Sequence, residues 1–352
     1  MSLSMPTATS LSSQNPQIAK PKIVRRTANF QPSIWGDQFL KYDSQYIKTE
    51  AIWQQQVDKL KLEVKREVCR NECDFSPRLN LIDAIQRLGV AYHFGKEIDE
   101  ALQHIHGHYH YSDDGDLYNV ALCFRLLRQH GYHISSDIFN KFKDANGCFK
   151  ESLVADPSGM LSLYEASHLR VHKEDILEEA LVFTTTHLES AKDNACYPVQ
   201  LREQITQALA RPLRKSLDRI CAKRYMSIYQ DAHHASNKQN EALLKLAKLD
   251  FNLVQSLHKK ELCEITRWWN ELDFETKLPF ARDRKVELFF WIVGVYFEPQ
   301  YSTGRSIMTK VSILLTVLDD IYDAYATFEE LVIFTEAIDR WDVKCIDELP
   351  AT

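Results

Sequence analysis

Apolar residues return every three or four positions along almost the whole chain, and little interrupts them: 10 Gly and 11 Pro occur in 352 residues. A stripe of that period covers one face of an α-helix, whereas a half-buried strand needs strict alternation. KTEAIWQQQVDKLKLEVKREV (48–68) sets Ile52, Val57, Leu60, Leu62 and Val64 among charged residues, and LNLIDAIQRLGVAYHFGKEIDEALQHI (79–105) repeats the pattern around a central Gly. DLYNVALCFRLLRQHGYHIS (116–135) opens on Asp116 and closes on Gly131, a start and a stop signal in the right order. SGMLSLYEASHLRVH (158–172), KEDILEEALVFTTTHLESA (173–191) and NEALLKLAKLDFNLVQSLHKKEL (240–262) continue the period. The pattern predicts an all-α chain of long helices with short connections. Helical repeats would also pair helices at even intervals, but no fixed-period similarity accompanies these.

With 45% apolar residues, a chain of this length has enough core for one large or two ordinary domains. The formal net charge is −6 and no long basic run occurs, which excludes a nucleic-acid track and gives no sign of an anionic membrane surface. The most apolar stretch, residues 286–297, is interrupted by Glu287 and closed by Glu298 and Pro299, so no membrane-spanning helix is expected. Eight cysteines are scattered without C-x-x-C spacing, which fits a reducing compartment. Cys69 and Cys73 can share a helix face but have no second ligand pair.

Residues 1–24 are rich in Ser, Thr and Pro, and no acid precedes Asp37. They are expected to be a disordered tail of a cytoplasmic protein; a plastid transit peptide is the alternative composition allows. The polar stretch at 231–250 places the expected domain boundary near residue 245, giving domains 25–245 and 246–352. Two histidine clusters are set aside as helix-end features: HIHGHYH (His104, His106, His108, His110), whose i, i+2 spacing scatters around a helix, and HLRVH (His168, His172), which follows Glu165 without an H-E-x-x-H.

The segment LLTVLDDIYDAYATFEE (314–330) carries Asp319, Asp320 and Asp323 at the end of an apolar run. Buried carboxylates are costly without partners, so these acids should meet water, a cation or a functional cavity. On a helix Asp319 and Asp323 stand at i, i+4 and Asp320 and Asp323 at i, i+3, a turn-spaced patch suited to a hard metal ion or, equally, to solvent. Upstream, ITRWWNELDFETKLPFARDRKVELFFWIVGVYFEPQYSTGRSIMTKVSILL joins an R-D-R pair and an aromatic-rich helix to that patch.

This ordered set resembles the plant class I terpene synthases, in particular the sesquiterpene cyclases of the angiosperm group, and the resemblance runs along essentially the whole chain. RRTANFQPSIWGDQF matches the family's paired-arginine, eight-residue, tryptophan motif, and DLYNVALCFRLLRQHGY, LSLYEASHLRVHKEDILEEALVFTTTHL, RWWNELDF and YFEPQYS read as further signatures. The resemblance implies an amino-terminal helical, α/α barrel-like domain followed by a class I helical bundle. It also implies Mg²⁺-dependent ionisation and cyclisation of farnesyl diphosphate, with geranyl diphosphate as the shorter alternative and Mn²⁺ as a possible substitute. Asp319, Asp320 and Asp323 match the metal motif, with Asp319 and Asp323 the expected direct ligands. Arg282 and Arg284 match the R-x-R that binds the departing diphosphate. Trp291 matches the tryptophan whose π face stabilises carbocations, and Phe289 and Phe290 beside it read as ordinary core. Tyr322, inside the metal motif, reads as packing. Arg25, Arg26 and Trp35 match the segment thought in the family to close over the site mouth.

Two departures accompany the match. The acids of SDDGD (Asp113, Asp114, Asp116) do not reproduce the D-x-D-D of protonation-initiated cyclases, so that activity is not expected. After WDVKCIDELPAT the chain stops where the family continues into its second metal motif. The expectation is a truncated, monomeric family member, with a catalytically inactive helical protein of at most a binding role as the alternative.

Overall fold

The computed structural model describes residues 25–41, 47–70, 75–108, 116–232 and 238–349. The regular elements among them are helical: α1 (Ile47–Val68), α2 (Ser76–Arg87), α3 (Gly95–His108), α4 (Leu117–Gln129), α5 (Pro157–Ser167), α6 (Asp175–Ala191), α7 (Val199–Ala210), α8 (Asp218–Ala232), α9 (Lys238–Leu272), the single turn α10 (Phe274–Lys277), α11 (Lys285–Val295), α12 (Ser302–Asp320) and α13 (Phe328–Arg340). An isolated bridge between Lys143 and Phe149 is the sole β-type pairing among the described residues. No helix of the described residues is long and apolar enough to cross a membrane.

The ends of these helices follow local chemistry. Asp116 caps α4 by accepting from the Asn119 amide at 2.7 Å, and Gly131 ends it at φ +83°, a conformation that favours glycine. Asp156 caps α5 in front of Pro157, whose missing N–H costs nothing at a first helical turn. Gly89 has φ +76°, and a Cβ there would stand 3.0 Å from that of Ala222; the turn after α2 therefore needs glycine for conformation and for room.

Contacts divide the chain into two compact units. The larger comprises residues 35–272 and 284–312, with its main core in α1–α6, α8 and α9, where Leu79, Ile82, Ile85, Leu102, Phe124 and Phe139 are fully buried. A smaller cluster joins α5, α6 and α7 through Met160, Leu188 and Ile205. α9 packs along α1, and α4 packs on α5. Residue 245 lies inside α9, and the polar stretch just before it falls partly outside the described residues.

Of the charged pairs buried among the described residues of this unit, one ties α12 to α9. Arg305 of α12, at 0% exposure, donates Nε and Nη2 to Glu261 at 2.9 and 2.7 Å, and Nη1 to the Glu298 carbonyl at 2.6 Å. Among the described residues, the smaller unit comprises 25–34, 273–283 and 313–349 and contains the acidic motif. The amino-terminal tail, Cys73, His110, Asp113 and Asp114 lie outside the described residues.

Candidate active site

The apolar run of α12 ends at Asp319 and Asp320, and the chain then makes a π-helical turn, Ile321–Tyr325, that carries Asp323. The three acids do not share one environment. Asp319 and Asp323 are exposed, while Asp320 is 1% exposed and turned inward. Its Oδ2 accepts from the Arg282 backbone N–H at 2.7 Å, and its Oδ1 lies 2.7 Å from Arg282 Nη2 as an ion pair. The same nitrogen donates to Asp319 Oδ2 at 2.9 Å. The two acids, Asp320 first, raise the Arg282 pKa and hold the guanidinium charged beside them.

Arg282 is held from below as well. Its guanidinium lies over the Phe30 ring, 4.6 Å from the centroid. In the same unit, Arg25 grips Glu330 with two parallel bonds of 2.8 Å and lies over the Tyr325 ring at 4.3 Å. Tyr325 stacks on Phe280 at 3.7 Å with the rings nearly parallel. Glu330 also closes a capping box at the start of α13, accepting from the Thr327 amide at 2.9 Å while Thr327 Oγ1 accepts from the Glu330 amide. Its pKa is lowered, by Arg25 first and then by the Thr327 amide. The hollow under Arg25, lined by Phe280, Tyr325, Leu331 and Phe334, measures about 130 Å³, below the ~300 Å³ of a ligand pocket.

Other expected residues are placed as follows. Tyr322 packs on α13, with its hydroxyl 2.8 Å from Thr335 Oγ1. Arg26 is exposed, Arg284 stands at the N-cap of α11, and Trp35 is half-buried beside Phe39. Trp291 is 66% exposed on α11, whereas Phe289 is core. Phe290, expected in the core, is 49% exposed, because it precedes Trp291 on the outward face.

Glu165 accepts from the Leu213 amide at 2.9 Å, and both ring nitrogens of His168 are buried without a hydrogen bond. Burial, then Lys215 and Arg170, push His168 down to about 4. His104 meets Phe75 edge-on and His106 stacks on Tyr132, while Asp116 is the cap of α4.

Among the described residues no group of three or more His, Cys, Asp or Glu side chains converges as a metal cage. The inward turn of Asp320 accounts for that. Asp319 and Asp323 remain as exposed hard oxygen donors one turn apart, a pair that fits Mg²⁺, an ion that keeps several waters and takes one or two carboxylates together with phosphate oxygens. Glu330, Tyr325, Phe280 and Phe30 were not singled out by sequence. The T-x-x-E of TFEE is a capping-box signal that points to Glu330; nothing local pairs it with Arg25.

Within the smaller unit, then, an arginine is pinned by two aspartates at the end of α12, with a third aspartate exposed in the turn that follows. The family model described as terpene synthase, N-terminal domain, matches residues 34–209, and that described as terpene synthase family, metal binding domain, matches residues 270–352. The chain belongs to the terpene synthase family. It is 61% identical over 348 residues to (−)-alpha-pinene synthase of Fragaria vesca, covering 98% of this chain and 61% of that protein. It is 57% identical over 330 residues to (−)-germacrene D synthase of Vitis vinifera, covering 94% and 58%. Isoprene synthase from grey poplar, solved with three Mg²⁺ ions and dimethylallyl-S-thiolodiphosphate, superposes with a TM-score of 0.79 at 42% identity, covering 85% of this chain and 56% of that one. The chain thus spans roughly three-fifths of the length of the relatives it matches.

Proposed function

We propose that the protein acts in Mg²⁺-dependent ionisation of an allylic diphosphate, with farnesyl diphosphate as substrate and a cyclic sesquiterpene and diphosphate as products. The observation that carries this reading is Arg282 pinned between Asp319 and Asp320 beside an exposed Asp323, within a matched metal-binding domain. In this reading Asp319 and Asp323 hold the metal. Bound Mg²⁺ supplies Lewis-acid stabilisation of the leaving diphosphate. Asp320 acts as a positioning residue: it fixes the backbone and the guanidinium of Arg282, so that a charged fork faces the departing oxygens. The C–O bond breaks with its electron pair leaving on diphosphate; the allylic cation then closes a ring and loses a proton.

Arg284 would supply the second cation of the R-x-R, and the exposed Trp291 indole a π face for the carbocation. Arg25, gripped by Glu330, would hold its segment against the start of α13 and, together with Arg26, help exclude water. Relatives named for germacrene D and valencene support the C15 substrate, and the pinene synthase makes geranyl diphosphate the comparison to run. We further place the protein in the cytoplasm as a monomer; the absence of disulfides among the described cysteines supports a reducing compartment.

The test is incubation of the 352-residue chain with farnesyl or geranyl diphosphate, with Mg²⁺, with Mn²⁺ or with chelator, reading volatile products and released diphosphate. Metal-dependent release with C15 product supports the reading. Soluble, helical protein that releases nothing overturns it for this chain.

A further inference from the structure

Residues 204–230 contain six basic side chains and one acid, Asp218, in a chain whose net charge is −6. Along the sequence this is too short and too interrupted to stand out. The fold concentrates it. Between α7 and α8 the chain makes a single 3₁₀ turn, Leu213–Lys215, which brings Arg211 and Arg224 to the rim of one hollow of about 150 Å³. Of the six cations Arg219 alone is occupied within the fold: its guanidinium lies 3.8 Å over Phe251 and donates to the Phe251 carbonyl at 2.9 Å. Arg211, Arg214, Lys215, Lys223 and Arg224 are exposed, and none of them has a carboxylate partner among the described residues. Arg170, exposed in the loop after α5, joins Lys215 in the field felt by His168, so the cationic surface continues past the junction.

Five like charges on one turn and one helical turn repel each other, and an unpaired cluster of this kind is stabilised by an anion. The hollow limits which anion. Two guanidinium groups on its rim match the bidentate recognition of a phosphate group, and Ala210, Leu217 and Ile220 give it an apolar wall. A volume of about 150 Å³, too small for a larger ligand, admits one phosphate group, and the exposed Arg214, Lys215 and Lys223 lie within a few residues of the rim cations along the chain. We propose that the α7–α8 junction is a docking site for the phosphate head groups of an anionic membrane surface. Attachment through exposed cations is reversible and salt-sensitive. The excess negative charge of the rest of the chain orients the molecule, turning this face toward the lipid. The site is independent of the proposed activity.

The experiment is co-sedimentation of the full 352-residue chain with phosphatidylcholine vesicles, with and without about one-third phosphatidylserine, at low and at physiological salt. The protein should pellet with the anionic vesicles only. The double variant Arg211→Gln/Arg224→Gln should bind about tenfold more weakly or worse, the size expected for two head-group-facing cations. Lys259→Gln/Lys260→Gln, which removes the same charge from an exposed part of α9, should bind as the parent does. A photoactivatable phosphatidylserine added to the unmodified chain should label the peptide 211–224, a readout that does not depend on the variants folding. Failure to pellet, equal weakening by both double variants, or labelling elsewhere overturns the proposal. Binding of inorganic phosphate without vesicle binding would leave an anion site and no membrane dock; binding of polyglutamate without vesicle binding would make the partner an acidic protein.

Discussion

Asp320 shows how much the direction of a single side chain decides. Its two neighbours in the motif face solvent, and it faces Arg282. Asp319→Ala should abolish metal-dependent diphosphate release while leaving the melting temperature nearly unchanged, because the residue is exposed. Asp320→Asn should instead lower stability by about 1–3 kcal/mol, the cost of breaking a buried charged hydrogen bond, and should weaken diphosphate affinity by releasing Arg282; thermal melts and inorganic diphosphate titrations separate the two effects. Spacing alone made the three acids equivalent, since i, i+3 and i, i+4 describe a patch and not which member turns in. A second residue-scale expectation concerns Glu165. Burial raises its pKa from 4.5 to about 7, against the pull of the Leu213 amide. Between those values the folded state keeps a proton that the unfolded chain has lost, so stability falls as pH rises through the window and the full penalty is present above it. Glu165→Gln should therefore be neutral near pH 4 and increasingly stabilising up to pH 7, levelling at no more than about 3 kcal/mol; denaturant titrations across pH check this.

The start of α13 carries two duties that the sequence shows unequally. T-x-x-E announces the helix, and Thr327 and Glu330 close the capping box as the motif requires. The partner of Glu330 lies 305 residues earlier, where Arg25 reads only as half of a paired-arginine motif. Thr327→Ala should cost about 1 kcal/mol through the cap alone. Exchanging the charges gives a sharper test of the pairing: Arg25→Glu and Glu330→Arg should each expose the amino-terminal segment to limited proteolysis, and the double variant should recover part of the protection. The helices themselves were legible because their period is long and their breakers few. α9 crosses the residue where a boundary was expected, since polarity in one stretch is a weaker signal than continuous apolar spacing on both sides.

For the molecule as a whole, the buried Arg305–Glu261 pair links α12 to α9 within the larger unit, and neither sequence position advertises it. Arg305→Leu leaves Glu261 and the Glu298 carbonyl unsatisfied and should destabilise by about 3–5 kcal/mol, measured as a shift in denaturant midpoint at constant slope. Family membership and the all-α class could be read from residue order; the burial of Asp320, the exposure of Phe290 and the grip on Arg25 could not, because each depends on which neighbour arrives from far along the chain. The π-helical turn Ile321–Tyr325 has a final consequence of this sort. A turn closed by an i+5 bond contains one residue more than an α-helical turn, so the angle between Asp319 and Asp323 is fixed by a count of residues. A single-residue insertion between Asp320 and Asp323 would rotate Asp323 by roughly 100° about the axis while leaving every side chain of the motif present. Variation in length there would be far less tolerated than variation in composition.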